Sequence, residues 1–211
     1  MRYSPASLSV APEKPFQYVG GDPSLDLVNT VDWTRRGLDL DRLTGYERFT
    51  RWAEGAGVVD ARAAKRLRAA AEQRPREAEA AYDAALTLRW VLQRVFLAAA
   101  RSEGPGSALE DLNELLRDAL RHLRLSRVDG RLELTWRGMG DDLASPLWPV
   151  VWSAATLLAS EERERIRTCG GPDCGWMYVD RSRNHLRRWC QMETCGTRAK
   201  SRRRAAKAAT E

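Results

Sequence analysis

The residues of this chain best suited to do chemistry are its four cysteines, Cys169, Cys174, Cys190 and Cys195. They are spaced C-x4-C-x15-C-x4-C, which is two close pairs separated by a longer excursion. Two such pairs allow one chain to wrap a tetrahedral ion, and zinc suits four thiolates because it is tetrahedral and thiophilic. The spacing predicts a structural zinc site, since a catalytic zinc keeps an open position and commonly uses His or carboxylate ligands.

Other interpretations of the four cysteines stay open at this level. Four thiolates also ligate iron–sulfur clusters, and unrelated cytosolic thiols are a further alternative, although the preceding 168 residues contain no cysteine. A zinc-bound water would need another type of ligand, and His185 is the only histidine nearby. We expect His185 at the solvent-facing tip of a hairpin, and we therefore expect no enzymatic activity from this site.

Positive charge is concentrated in the same segment. Residues 166–211 contain eleven Arg and Lys against four Asp and Glu, a net charge of +7, whereas the other 165 residues contain 24 against 25, a net charge of −1. A basic surface on a metal-held scaffold is typical of proteins that bind a phosphate backbone, and arginine adds bidentate contacts. The residues predicted to contact nucleic acid are Arg183, Arg187, Arg188, Arg198, Lys200, Arg202, Arg203 and Arg204. A basic tail that stays solvated, or that docks on an acidic patch of its own domain, is the alternative.

The elements that position the cysteines are predicted to be few and short. Residues 175–182 and 186–190 have the pattern of a hairpin between the two cysteine pairs, with Trp176, Tyr178 and Trp189 as a small core. A basic helix follows the last cysteine, and a final ligand that leads into a helix resembles a treble clef. About 45 residues bury too little surface to fold alone, so metal binding is expected to supply the folding energy.

Upstream, apolar periodicity predicts a helical domain with one β-hairpin. Asp22, Thr44 and Asp60 are the candidate caps of helices that begin after them, and alternation around Asp129-Gly130 predicts a hairpin over 123–138. The predicted helices lie within 20–33, 43–59, 60–73, 75–103, 108–123 and 145–166. The expected fold class is mainly α (α+β), with a flexible tail at 1–14, the helical domain at 15–165 and a small treble-clef-like zinc finger at 166–211.

The rest of the sequence argues against several classes of protein. No apolar run approaches the roughly 18 residues that a membrane span needs, and the N-terminus lacks the apolar stretch of a signal peptide. We therefore expect a cytoplasmic protein with no membrane partner, in which disulfides are unfavourable. The sequence contains no Gly-rich phosphate loop and no credible Ser-His-Asp arrangement, which again argues against an enzyme.

Three polar residues of the N-terminal region are candidates for contact with a small-molecule effector. Asn29 ends an apolar face, Arg35 follows it closely, and Arg89 lies in the apolar stripe of the longest predicted helix. A polar group on an apolar face suits a ligand pocket. The alternative is internal: Asn29 would cap or tie a loop, and Arg89 would pair with a carboxylate such as Asp26 or Asp32.

The cysteine segment closely resembles the CGNR zinc-finger module. The shared pattern is a first cysteine pair, a Phe/Tyr-x-Asp-x-Ser segment, RRWC-x-M-x-x-CGNR-x-K and a basic helix. The matching residues are Tyr178, Asp180, Ser182, Arg187, Arg188, Trp189, Cys190, Met192, Cys195, Gly196, Arg198 and Lys200. Thr197 stands where the module has Asn, which leaves the fold intact and puts any contact of that amide in question.

The resemblance extends upstream to the ABATE domain that accompanies this finger, through VGGDPSLDLVNT (19–30) and SPLWPVVWSAATLLAS (145–160). It implies a bacterial protein of the transcription-regulator type with a zinc-dependent DNA-binding tail. The leading expectation is a zinc-binding regulator of transcription whose N-terminal domain senses an effector or forms a homodimer. An RNA-binding zinc module and a protein-interaction adaptor with a basic tail stay open as alternatives.

Overall fold

The computed structural model describes residues 14–34 and 37–208. The α-helices are α1 (Pro23–Val28), α2 (Tyr46–Gly55), α3 (Ala61–Gln73), α4 (Pro75–Ala100), α5 (Ala108–Leu120), α6 (Leu147–Ala159) and α7 (Thr197–Ala208). The strands are β1 (Val31–Thr34), β2 (Gly37–Asp41), β3 (Leu123–Val128), β4 (Arg131–Trp136), β5 (Ile166–Thr168) and β6 (Met177–Val179). A 3₁₀ helix spans Glu161–Arg165 and a π-helical turn spans Met192–Gly196. The predicted tail, apart from Lys14, and Arg35 lie outside the described residues.

Helix α4 forms the centre of the N-terminal domain. Pro75 suits its first turn, where the amide that proline lacks would have no helical partner, and apolar residues then recur at three-to-four spacing. Ala85, Leu88, Leu92 and Phe96 are buried, and α4 contacts α1, α2, α5 and α6. The predicted mainly α fold with some β structure is confirmed. Within the described part of the chain, no helix is both long and apolar enough to span a membrane.

Helix starts follow the predicted capping residues in two of three cases. The Asp22 carboxylate accepts a hydrogen bond from the second amide of α1 at 2.9 Å, and the Asp60 carboxylate accepts one from the third amide of α3 at 2.6 Å. Each bond satisfies an amide that has no partner within its helix. The prediction that Thr44 caps α2 was wrong, because the helix begins later and places Gly45 at the cap position.

Among its described residues, the N-terminal domain contains two β-hairpins where the sequence predicted one. The predicted hairpin is β3–β4, and its turn holds Asp129 and Gly130 at φ +47° and +82°, as a type I′ turn requires. The hairpin β1–β2 was missed, since β1 occupies residues predicted as the end of a helix. Helix α1 instead stops at Val28, and the Thr30 hydroxyl donates to the Leu27 carbonyl at 2.7 Å as the chain leaves the helix.

The finger pairs its strands differently from the prediction. Strand β6 lies within the predicted strand 175–182, but its partner is β5, which precedes the first cysteine. Ile166 of β5 is fully buried in the core of the helical domain, so apolar packing holds β5 in place beside β6. The described segment 186–190 contains no strand, and the Arg187 amide donates instead to the Asp180 carboxylate at 3.0 Å. The predicted hairpin between the cysteine pairs was therefore wrong.

The finger is anchored on the helical domain. Ile166, Met177 and Val179 belong to the same core as the helices, and the 3₁₀ helix after α6 leads directly into β5. The Val179 amide also donates to the Gly20 carbonyl at 2.9 Å, and the Gly175 amide donates to the Trp33 carbonyl at 2.7 Å. Main-chain bonds of this kind fix the finger's position against the N-terminal domain.

Candidate zinc centre and nucleic-acid interface

The four cysteines converge although they lie on different local structures. Cys169 follows β5, and Cys174 closes a tight turn in which its amide donates to the Gly171 carbonyl at 3.1 Å. Cys190 precedes the π-helical turn that contains Cys195. Three of the thiols are buried and that of Cys174 is half-buried. All four sulfur atoms lie within 4.8 Å of one another.

The spacing of the sulfur atoms fits zinc. Zn–S bonds of about 2.3 Å at tetrahedral angles put neighbouring sulfurs about 3.8 Å apart. The Sγ atoms of Cys174 and Cys190 are 3.8 Å apart, and those of Cys190 and Cys195 are 3.7 Å apart. The amides of Gly171 and Cys190 donate to the Cys169 sulfur at 3.5 and 3.3 Å, contacts that favour a thiolate. Four cysteine ligands complete the tetrahedron, so the centre is a structural zinc site.

Hydrogen bonds among the cysteines shift their pKa values in opposite directions. Hydrogen bonds with Cys174 and Cys190 lower the pKa of Cys169 to about 2. The hydrogen bond with Cys169 raises the pKa of Cys174 to about 12, and hydrogen bonds with Cys169 and Cys174 also raise the pKa of Cys190. The cluster therefore keeps protons that a bound zinc ion must displace, and zinc affinity is expected to fall in acid.

Small residues and aromatic rings enclose the centre. A Cβ on Gly171 would lie 3.0 Å from the Cβ of Cys174 and 3.3 Å from the Cys195 sulfur, so a larger residue would press on two of the metal ligands. Trp176 and Tyr178 are buried beside the cysteines, and the half-buried Trp189 packs against them. The three aromatic residues form the small core that the sequence predicted.

Asp180 organises the loop that follows β6. Its side chain is fully buried and accepts hydrogen bonds from the Ser182 amide at 2.9 Å, the Ser182 hydroxyl at 2.6 Å and the Arg187 amide at 3.0 Å. Burial alone would raise the pKa of Asp180, but these hydrogen bonds outweigh it and the pKa is lowered. His185 lies in this loop, exposed as predicted, and its Nδ1 is 3.1 Å from the Asp180 carbonyl.

Arg187 differs from the other predicted nucleic-acid contacts, because its guanidinium is turned inward. It stacks on the Tyr178 ring, 4.0 Å from the centroid, and donates to the carbonyls of Trp189 at 3.0 Å and Val19 at 3.1 Å. A further hydrogen bond goes to the Cys190 carbonyl. With Nε and Nη2 used internally, Arg187 tethers the second cysteine pair to the chain before α1, and this geometry favours a structural role over the predicted phosphate contact.

The other predicted contacts all point to solvent. The exposed basic residues are Arg183, Arg188, Arg198, Lys200, Arg202, Arg203 and Arg204. Arg183 and Arg188 lie on the loop after β6, and the remaining five lie on α7. Helix α7, described over Thr197–Ala208, buries none of its residues. Only an exposed ion pair of Arg202 with Asp173 at 3.4 Å offsets this charge among the described residues, and such pairs contribute little.

Two of the three candidate effector contacts, Asn29 and Arg89, have internal partners, and Arg35 lies outside the described residues. Asn29 is 1 % exposed; its side chain donates to the Met177 carbonyl at 2.8 Å and accepts from the Met177 amide at 2.9 Å. Arg89 is 2 % exposed and pairs with Asp41, one of its bonds being 2.7 Å, and with the Thr30 hydroxyl at 3.0 Å. For Asn29 and Arg89, the geometry therefore favours the internal alternative over contact with an effector.

The partner predicted for Arg89 was wrong, however. Asp32 instead pairs with Arg42 at 2.8 Å, and Asp26 accepts a hydrogen bond from the Gly20 amide at 2.7 Å. Asp41 is the partner because the missed hairpin β1–β2 brings it back beside α4. Because the sequence analysis did not predict that hairpin, it gave no reason to choose Asp41 as the partner of Arg89.

A cavity of about 610 Å³ lies between the β1–β2 hairpin and the finger, and the sequence did not predict it. The indole Nε1 of Trp176 donates to the Val31 carbonyl at 3.0 Å beside it, and the Arg42 guanidinium lies 5.1 Å from the Trp176 ring centroid. The walls of the cavity contain aromatic rings and charged side chains, and they include three of the zinc ligands. The lining residues include Asp32, Trp33, Arg42, Trp176, Cys195 and Arg198.

A closed four-cysteine centre on a helical domain defines a zinc-finger protein. Known protein families match both the helical domain and the finger. Residues 21–161 match the ABATE family, described as "Putative stress-induced transcription regulator", and residues 165–208 match the CGNR zinc finger. The chain therefore belongs to the ABATE family and carries a CGNR zinc finger, which confirms the resemblance seen in the sequence. No curated protein matches the chain.

Proposed function

We propose that this protein is a cytoplasmic, zinc-dependent, DNA-binding regulator of transcription and has no catalytic role. The observation that carries the proposal is α7, a helix that buries none of its described residues and presents six exposed basic side chains. A helix without an apolar face gains nothing from packing. A polyanion that neutralises its charge is therefore the partner that suits it.

The finger's arginines support duplex DNA as this partner. Arg183 and Arg188 add exposed basic side chains on the loop after β6, so two separate elements of the finger can contact phosphates. Arginine also offers paired donors to phosphate oxygens and to guanine edges. One finger of this size makes few base contacts, and we propose that the protein binds its target as a homodimer with two half-sites.

The cavity beside the zinc centre supports a regulatory role for the helical domain. It is lined by both the β1–β2 hairpin and the finger, so a small molecule bound there would contact both regions at once. A ligand that prefers one arrangement of the two regions shifts the population towards it. We propose this cavity, rather than Asn29 or Arg89, as the effector site.

Recovery of genomic DNA fragments tests the proposed function. Zinc-loaded protein is mixed with fragmented DNA, and the bound fragments are sequenced beside those bound by Cys190→Ser and by Arg62→Ala, an exposed arginine of α3. We expect enrichment of a defined motif by the wild type and by Arg62→Ala, and its loss in Cys190→Ser. A palindromic motif would support the homodimer. Equal recovery by Cys190→Ser would contradict a zinc-dependent regulator.

Competition with structured RNA, and affinity measured against nucleic-acid length, separate the two alternatives. An RNA-binding zinc module predicts that structured RNA displaces the bound DNA at lower concentration than duplex DNA does. An adaptor that binds an acidic protein predicts no dependence of affinity on the length of either nucleic acid. Motif enrichment in DNA that structured RNA does not displace would exclude both.

A further inference from the structure

Leu186 is exposed in a way that packing does not explain. It is 76 % exposed, the highest value among the large apolar side chains in the described residues. It lies in the finger, on the loop after β6, where only Asp180 and Cys190 of residues 180–190 are buried. A single exposed leucine is ordinary, so its meaning depends on how the loop holds it and on what surrounds it.

The loop that carries Leu186 is held in shape on both sides. On one side, the buried Asp180 carboxylate binds the Ser182 amide and hydroxyl. On the other side, it binds the amide of Arg187, whose guanidinium is fixed on Tyr178. At the tip, the His185 amide donates to the Ser182 carbonyl at 3.1 Å, and His185 adopts a left-handed backbone with φ +51°. This geometry presents Leu186 at a fixed position.

The surroundings of Leu186 are basic. Arg183, Asn184, His185 and Arg188 are all exposed on the same loop, and residues 181–188 contain no carboxylate. Arg181, at the base of the loop, is already paired with Glu162 at 2.6 Å. An apolar tip flanked by arginine and asparagine suits a polyanion better than the apolar surface of a protein.

We propose that Leu186 is an apolar wedge that this loop inserts into the minor groove of duplex DNA, an inference that rests on the proposed DNA binding. The side chain enters between two stacked base pairs, while Arg183, Asn184 and Arg188 contact the groove walls. Proteins that bind the minor groove combine such apolar wedges with Arg and Asn, and the wedge kinks the duplex by about 20–90°. The finger therefore bends its DNA, and it selects base steps that unstack easily.

Bending of a labelled duplex tests the wedge. Full-length, zinc-loaded protein is added to an enriched duplex of about 30 base pairs that carries a dye at each end, and energy transfer reports the bend while anisotropy reports binding. Leu186→Ala is compared with Leu125→Ala, whose leucine is 65 % exposed on β3. We expect Leu186→Ala to bind with an unchanged salt dependence and with a bend less than half that of the wild type. Leu125→Ala and Leu186→Phe should bend the DNA as the wild type does.

The possible failures are distinguishable. Equal bending by the wild type and Leu186→Ala would overturn the wedge and leave the proposed regulator intact, as would binding without any bend. No binding by the wild type would overturn the proposed function and the wedge together. If Leu186→Ala instead loses affinity for a protein partner while its DNA bend is unchanged, Leu186 belongs to a protein interface and the wedge is again overturned.

Discussion

The helical domain buries aromatic and aliphatic side chains from α1 to α6 in one core, whereas the finger's own buried cluster consists of Cys169, Trp176, Tyr178, Cys190 and Cys195. Three of these five finger residues are metal ligands, so removal of the metal removes the reason for their burial. The difference separates a domain that burial stabilises from a module whose fold depends on an ion. Asn29 and the β5–β6 pair join the two, and a change in one region can therefore be measured in the other.

Loss of zinc should have the largest effect and should be confined to the finger. In Cys190→Ser, three thiolates cannot close the tetrahedron, and the apparent free energy of zinc binding in zinc-finger peptides, about 10–16 kcal/mol, shows how much folding energy is at stake. We expect amide protection to disappear around Cys169 and Cys195 and to persist in α4, measured by hydrogen exchange. Chelation and return of zinc to the wild type is the control. Unchanged protection around the cysteines without zinc would contradict a metal-dependent fold.

Disruption of the buried Arg89–Asp41 pair should have the next largest effect, and we expect it in the helical domain. Arg89→Met removes the charge that compensates the Asp41 carboxylate in the core, and breaking a buried pair costs about 3–5 kcal/mol. Urea unfolding measures this free energy. The control is Arg51→Met, whose pair with Glu47 is exposed on α2 and contributes about 0.5 kcal/mol or less. Similar losses in both variants would show that Arg89 does not stabilise the helical domain.

Asn29→Ala should loosen the junction while leaving each region folded. It removes two buried hydrogen bonds to Met177, and leaving a buried donor and acceptor unsatisfied costs about 2–4 kcal/mol. We expect faster exchange of β6 amides with zinc still bound. Thr156→Ala on the exposed face of α6 is the control and should leave exchange in β6 unchanged. If Asn29→Ala behaves as this control does, Asn29 does not hold the finger.

Acid should favour folding of the helical domain through Asp26, and it should weaken zinc binding by the finger. Burial raises the pKa of Asp26 to about 6, from an ordinary value of 3.8. The folded state therefore holds this proton more tightly than the unfolded state, so the stabilisation from Asp26 is complete below about pH 4 and is lost as the pH rises through 6. Zinc affinity changes in the other sense, because protons compete for the thiolates.

The variant Asp26→Asn isolates this contribution. Its amide can still accept from Gly20 but does not ionise, so its stability relative to the wild type should increase between pH 4 and pH 7, by at most about 3 kcal/mol. Urea unfolding at each pH, with zinc content measured in parallel, gives the difference. A difference that does not change with pH would mean that Asp26 ionises normally.

The sequence predicted the helices and the metal site because their signals are local. Caps at Asp22 and Asp60, the turn at Asp129-Gly130 and the cysteine spacing each lie within a short stretch of chain. The Asn29–Met177 contact joins residues 148 positions apart, and no local pattern identifies it. The predicted pairing of β6 failed for the same reason, since β6 finds its partner β5 through the core that it shares with the helices.

Charge alone also did not predict the role of Arg187. The sequence shows a run of arginines, but whether a guanidinium faces DNA or the protein depends on what lies beneath it. Tyr178 and the carbonyl of Val19 are brought there by the fold. The Asp-x-Ser segment at Asp180 was a usable signal, because a carboxylate before serine commonly binds the amides of its own loop.

A substitution on α7 should have the smallest effect on stability of these variants, although the proposed function places this helix against DNA. Arg203 of α7 is exposed, so Arg203→Ala should change the free energy of unfolding by less than about 0.5 kcal/mol. Loss of one phosphate contact should lower the salt dependence of DNA binding, the slope of log K against log salt, by about 1. Arg62→Ala on α3 removes the same charge from the helical domain and should leave that slope unchanged. Anisotropy titrations of one duplex at several salt concentrations measure both slopes, and equal slopes for the two variants would mean that DNA responds to net charge rather than to the surface of α7.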